Sequence, residues 1–107
     1  MISKQMQVLV NMEKSTDPHA YEDIQKIWKK EIAVLSYSLD DTIQYLDTLM
    51  DETEMLYVAE VWDDISYYWK SEKLIECMER CIERFPNIKS SLEVDLHFAK
   101  EAINNDV

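Results

Sequence analysis

A chain of 107 residues that is 47% hydrophobic and carries a net charge of −11 suits a single folded domain with its own core, and not a disordered polymer. It has no glycine and only Pro18 and Pro86. That argues against a hairpin-rich β fold, and it excludes the glycine loops that cradle phosphates. No run of about 20 apolar residues is available to span a membrane. The opening MISKQMQVLVNMEK is too interrupted for a secretory signal, so a cytoplasmic location with Cys77 and Cys81 reduced is expected.

Helical periodicity runs nearly end to end. A first helix over 2–14 places Ile2, Met6, Leu9 and Met12 on one face. Asp17 reads as an N-cap with Pro18 at the first position of a second helix, 18–37, which aligns Tyr21, Ile24, Trp28, Ile32 and Leu35 with Ile27 and Val34 as a second edge. Ser38 caps a third helix, 39–50, with Leu39, Ile43, Leu46 and Met50 inward. Asp51 with Glu54 forms a capping box for a fourth, 52–70. Its stripe of Met55, Val58, Ala59, Trp62, Ile65, Ser66 and Trp69 falls within about 60° of Trp62. Ser71 caps a fifth helix, 72–84, that turns Leu74, Ile75, Met78, Cys81, Ile82 and Phe85 inward. Ser90 with Glu93 starts a last helix, 91–104, burying Leu92, Leu96, Ala99 and Ile103. The expected fold is all-α: one domain over 1–107, a compact bundle of five to six amphipathic helices or stacked helical hairpins.

The charge is not evenly spread. Residues 1–37 hold five basic and five acidic side chains, whereas residues 38–69 hold nine acidic side chains and no Lys or Arg. Such a block repels nucleic acid and steers a basic protein partner. It also holds six of the eleven aromatics. Trp62 and Trp69 belong to the core stripe. Tyr57, Tyr67 and Tyr68 fall on the far face with Glu60 and Asp64, which lie about 160° from Trp62 on a helical wheel. Two readings of these tyrosines stand: anchors on an exposed binding face, or a layer covered by other helices.

Catalytic groups do not assemble. Cys77 and Cys81 are wrongly spaced for zinc and read as small hydrophobes. Glu72, Glu76 and Glu83 face away from Met78, and Glu93 and His97 are four apart where a helical di-metal site uses three. Asp95 alone lies near an apolar edge. No Ser, Cys and His are marked as neighbours. The expectation is a non-enzyme without cofactor or metal, and a metal-dependent hydrolase ranks below the binding readings.

The stretch EVWDDISYYWKSEKLIECMERCIERFPNI, Glu60–Ile88, and its lead-in DTIQYLDTLMDETEMLYVAEVWDDIS resemble small helical bacterial immunity proteins that neutralise polymorphic or contact-dependent growth-inhibition toxins. The resemblance extends over roughly residues 38–104 and rests on apolar spacing, an E-x-x-D-D-I-S core and a later Phe-Pro. It implies a cytoplasmic inhibitor that occludes the active or substrate-binding site of a cognate toxin's C-terminal domain, many such toxins being basic nucleases. On the charge and aromatic pattern, the partner-binding candidates are Asp40, Asp41, Asp47, Asp51, Tyr57, Glu60, Asp64, Tyr67 and Tyr68. The alternative is a helical regulatory or adaptor protein for a basic protein partner. Neither reading expects nucleic acid or membrane as partner.

Overall fold

Three side-chain caps divide the acidic half of the chain into helices. The Ser38 hydroxyl accepts a hydrogen bond from the Asp41 amide at 3.3 Å, the Asp51 carboxylate from the Glu54 amide at 3.0 Å, and the Ser71 hydroxyl from the Leu74 amide at 3.4 Å. Each satisfies one of the amides that a first helical turn leaves without a partner. The computed structural model describes residues 2–104. Its α-helices are α1 (Ile2–Lys14), α2 (Tyr21–Leu35), α3 (Leu39–Thr48), α4 (Glu52–Val58), α5 (Trp62–Trp69), α6 (Glu72–Arg84) and α7 (Lys89–Ile103), with 3₁₀ turns at Ala59–Val61 and Pro86–Ile88. The chain is an all-α bundle as expected, with six helical rods of which the fourth is interrupted.

Several boundaries move for local reasons. The Asp17 carboxylate accepts from the His19 amide two residues on (2.9 Å), so 17–20 is a turn and not a helix start. Helix α2 therefore begins at Tyr21, behind Ala20, without a side-chain cap. At the other end of the chain, the 3₁₀ turn opened by Pro86 leads directly into α7 at Lys89. Ser90 is then inside the helix and does not cap it. Met50 is exposed and not inward, because α3 stops at Thr48 and Leu49 is extended (φ −70°, ψ 123°). Met12 is exposed as well; Glu13 takes the buried place beside it.

Helix ends are closed by long side chains. Arg84 donates from Nη2 to the Leu46 and Leu49 carbonyls at the C-terminal end of α3. This places a cation where the helix dipole is negative. The Trp69 indole donates to the Leu35 carbonyl (3.0 Å) at the end of α2. Lys70 terminates α5 in the left-handed region (φ 47°, ψ 49°), a conformation that glycine would adopt without steric cost but that this chain reaches with lysine.

Packing joins the rods pairwise. Helix α1 lies on α2 and also meets α3 and α4; α3 lies on α6; α5 has its most extensive partner in α7. Trp62 is fully buried at the centre, with Met6, Leu35, Leu46, Met55, Leu74, Met78 and Leu92. The radius of gyration is 12.9 Å, the value of about 13 Å that a close-packed chain of this length has. Cys77 and Cys81 are free and buried, and their thiols donate to carbonyls of α3. Among the described residues no helix is long and apolar enough to cross a membrane.

Candidate functional site

Helical spacing places two glutamates inside the protein. Glu13 follows Leu9 by four residues and Val10 by three, all three on the buried face of α1. Glu31 lies four residues after Ile27 and four before Leu35, the buried line of α2. Glu13 is 6% exposed and Glu31 0%. Glu60 joins them from the 3₁₀ turn. The Trp28 indole N–H stands between two of these carboxyls, donating to Glu13 Oε2 at 3.3 Å and to Glu60 Oε1 at 3.2 Å. Neither oxygen of Glu31 and not the second oxygen of Glu13 receives a donor from outside the three carboxyls. Among the described residues no Lys, Arg or His forms an ion pair with any of the three.

Carboxyls gathered this way hold protons. Burial pushes Glu31 up to about 7, with the Glu60 charge adding to it and the bond to Glu13 opposing it. Burial and the neighbouring Glu13 push Glu60 up to about 8. Glu13 is also raised, by burial first, though the proton shared with Glu60 favours its charged form. Two carboxyls in hydrogen-bond reach of each other need one proton between them, so the three titrate as a unit. The negative region continues beyond them. Asp95 on α7 is pushed up to about 6 by burial and then by Glu60 and Asp63. A buried acid outside this cluster, Glu54, accepts the Tyr45 hydroxyl at 2.5 Å, and the Tyr45 phenol is driven upward by burial and by Glu54.

The cluster opens outward. Glu13 and Glu60 lie at a cavity of about 390 Å³ whose aromatic lining is Trp28, Tyr21 and Tyr57, with Lys14 also at its edge. Two of the nine candidates, Tyr57 and Glu60, thus meet here with three residues that the sequence reading did not select: Glu13, Tyr21 and Trp28. Glu60 is exposed, as expected, but its carboxyl reaches back to Trp28 and Glu13. The 3₁₀ turn rotates each residue about 120° instead of 100°, which moves Glu60 from about 160° to about 120° from Trp62, onto the flank facing α1 and α2.

The other candidates are dispersed. Asp41 borders clefts with Ile2 at the start of α1, and Glu60 sits against Glu13 at its end, roughly 17 Å away along the helix. The nine side chains therefore do not form one patch. Asp40, Asp41, Asp51 and Asp64 are exposed. Asp47 is not free: it takes a two-pronged bond from Arg80 (3.1 and 2.9 Å) and a contact from the Cys77 thiol, and the Arg80 bond holds its carboxyl below the usual range. Tyr67 and Tyr68 are 44% and 59% exposed, so no second layer covers them; Tyr57 is half-buried. Lys70 sits over the Tyr67 ring, and Tyr68 packs edge-on against Trp69. His19 pairs with Asp17 and His97 with Glu101 at the surface. Among the described residues no group of three or more His, Cys, Asp or Glu is placed to hold a metal ion.

Comparison with protein-family models, with curated proteins and with solved structures finds no match for this chain.

Proposed function

We propose that this protein is a binding protein of the immunity type: it sequesters a basic protein domain, a toxin's C-terminal nuclease domain, by covering that domain's active or substrate-binding surface. The observation that carries the reading is an acidic surface without internal neutralisation. Asp40, Asp41, Asp51, Asp63 and Asp64 are exposed, and among the described residues none of them is ion-paired. Leaving so many like charges exposed works against compactness but steers a basic partner into contact at rates that neutral surfaces do not reach. The exposed Tyr67 and Tyr68 beside Asp64 supply the rigid, amphipathic area that binding hot spots use. The resemblance of residues 38–104 to immunity proteins supports the same class of partner.

Charge reversal tests it. The pairs D40K/D41K and D63K/D64K are made separately and binding to a basic nuclease domain is measured at two salt concentrations. A loss of at least tenfold in one pair, with a weaker salt dependence, is expected and identifies the face. Unchanged affinity and salt dependence in both would remove the acidic surface from the account. A basic host partner that belongs to a regulatory or housekeeping complex, and not to a toxin, would favour the adaptor role instead.

A further inference from the structure

The cavity beside Trp28 combines features that a surface groove does not need. Its lining combines two carboxyls with three aromatic rings, and Glu13 is almost wholly buried with a second oxygen that no donor outside the three carboxyls reaches. A buried carboxyl whose only donor is a neighbour's proton becomes costly once that proton leaves, and Glu31, bonded to Glu13, shares this condition. A cation can take the place of those protons. A bare metal ion fits poorly, since the Trp28 N–H donates to both Glu13 and Glu60 and so directs positive charge at the position an ion would take. The cavity is also far larger than an ion. A planar guanidinium fits better: its N–H fork reaches carboxylates on either side, and its face stacks on aromatic rings.

We propose that this cavity is a receptor for an arginine side chain of the basic partner, with Glu13 and Glu60 accepting its N–H groups and Trp28, Tyr21 and Tyr57 enclosing its stem and plane. The inference rests on the reading of the protein as a sequestering partner and names the contact through which it would act. An entering guanidinium releases the protons that the carboxyls share, so binding strengthens as pH rises. The response is set by Glu13 on α1, Glu31 on α2 and Glu60 on the 3₁₀ turn, and the other ionisable side chains facing the cavity are Lys14 on α1, Tyr21 on α2 and Tyr57 on α4. Asp63 on α5 and Asp95 on α7 act on the same region. Lys14 is the nearest competing cation, and removing it strengthens capture.

The probe is N-acetyl-arginine amide, titrated into the whole chain while the Trp28 indole N–H resonance is followed by NMR, assigned with Trp28→Phe. The expected result is a saturable shift with Kd on the order of 1 mM, tighter at pH 8.5 than at pH 6, weakened at least fivefold in Glu13→Gln and in Glu60→Gln, and absent with the neutral citrulline amide. Both Gln variants keep the side-chain shape and remove a charge from an acidic cluster, and circular dichroism checks that they fold. No saturable shift, an equal shift with citrulline amide, equal binding of N-acetyl-lysine amide, or binding unchanged by both variants would overturn the guanidinium site. The two proposals separate cleanly. Arginine binding without any basic protein partner leaves the site and removes the sequestration reading; a basic partner held equally well by Glu13→Gln and Glu60→Gln does the reverse.

Discussion

Replacing Glu31 by glutamine changes one atom type in a side chain with no exposed surface and no donor other than the Glu13 carboxyl. The native carboxyl is raised from 4.5 to about 7. A raised carboxyl binds its proton more tightly when folded than when unfolded. Its contribution is fully present below about pH 4.5, decays as pH rises, and is lost above about pH 7. At about 1.4 kcal/mol per unit, the full change is about 3 kcal/mol. Glu31→Gln carries no titrating proton at this position. The variant therefore matches the native chain near pH 4.5 and exceeds it by up to about 3 kcal/mol at pH 8.5, a melting-temperature gain on the order of 10 °C for a domain of this size. Urea unfolding of both chains across pH 4.5–8.5 measures the difference directly. Groups outside the cluster titrate in both chains alike, so the gap between the two curves reports Glu31 together with the response of Glu13 and Glu60 to its loss. A variant less stable by a constant amount at every pH would refute the reasoning, since Glu31 would then be a satisfied hydrogen-bonding group and not a proton held by burial.

Other consequences follow from the helix ends and the buried acid outside the cluster. Arg84→Met removes the donor from the Leu46 and Leu49 carbonyls and should cost about 1–3 kcal/mol in urea unfolding. Tyr45→Phe strips the Glu54 carboxylate of its hydroxyl partner, with a loss of similar size, about 1–3 kcal/mol, read by thermal melting. Lys70→Gly relieves the left-handed backbone at the end of α5. The gain is about 0.5 kcal/mol after loss of the Lys70–Tyr67 contact, and a higher urea midpoint at unchanged slope would record it.

Local rules made much of the fold legible in the sequence. Ser38, Asp51 and Ser71 cap the helices they were expected to cap, and the helix over 72–84 has the bounds its periodicity implies. The rule failed where nothing in the sequence marks a break. Ala59, Glu60 and Val61 contain no proline or glycine, yet they form a 3₁₀ turn, and a continuous helical wheel through them put Glu60 on the exposed side without its contacts to Trp28 and Glu13. Glu13 and Glu31 were visible as members of apolar stripes, at three- and four-residue spacing from Leu9, Val10, Ile27 and Leu35. Stripes drawn from apolar residues alone leave both out. The pairing of Asp47 with Arg80, 33 residues away, depends on α3 lying against α6 and has no local trace. The same holds for the meeting of Trp28 with Glu60.

The most direct test of the central claim is capture of a partner from the host lysate on the tagged chain at 50 and 300 mM salt, with the partner identified by mass and its catalytic activity assayed with and without the chain. The account predicts a basic toxin-like domain retained at low salt, largely released at high salt, and inactivated at a one-to-one ratio. A captured partner that is acidic, that holds equally well at both salt concentrations, or that remains fully active when bound would contradict it.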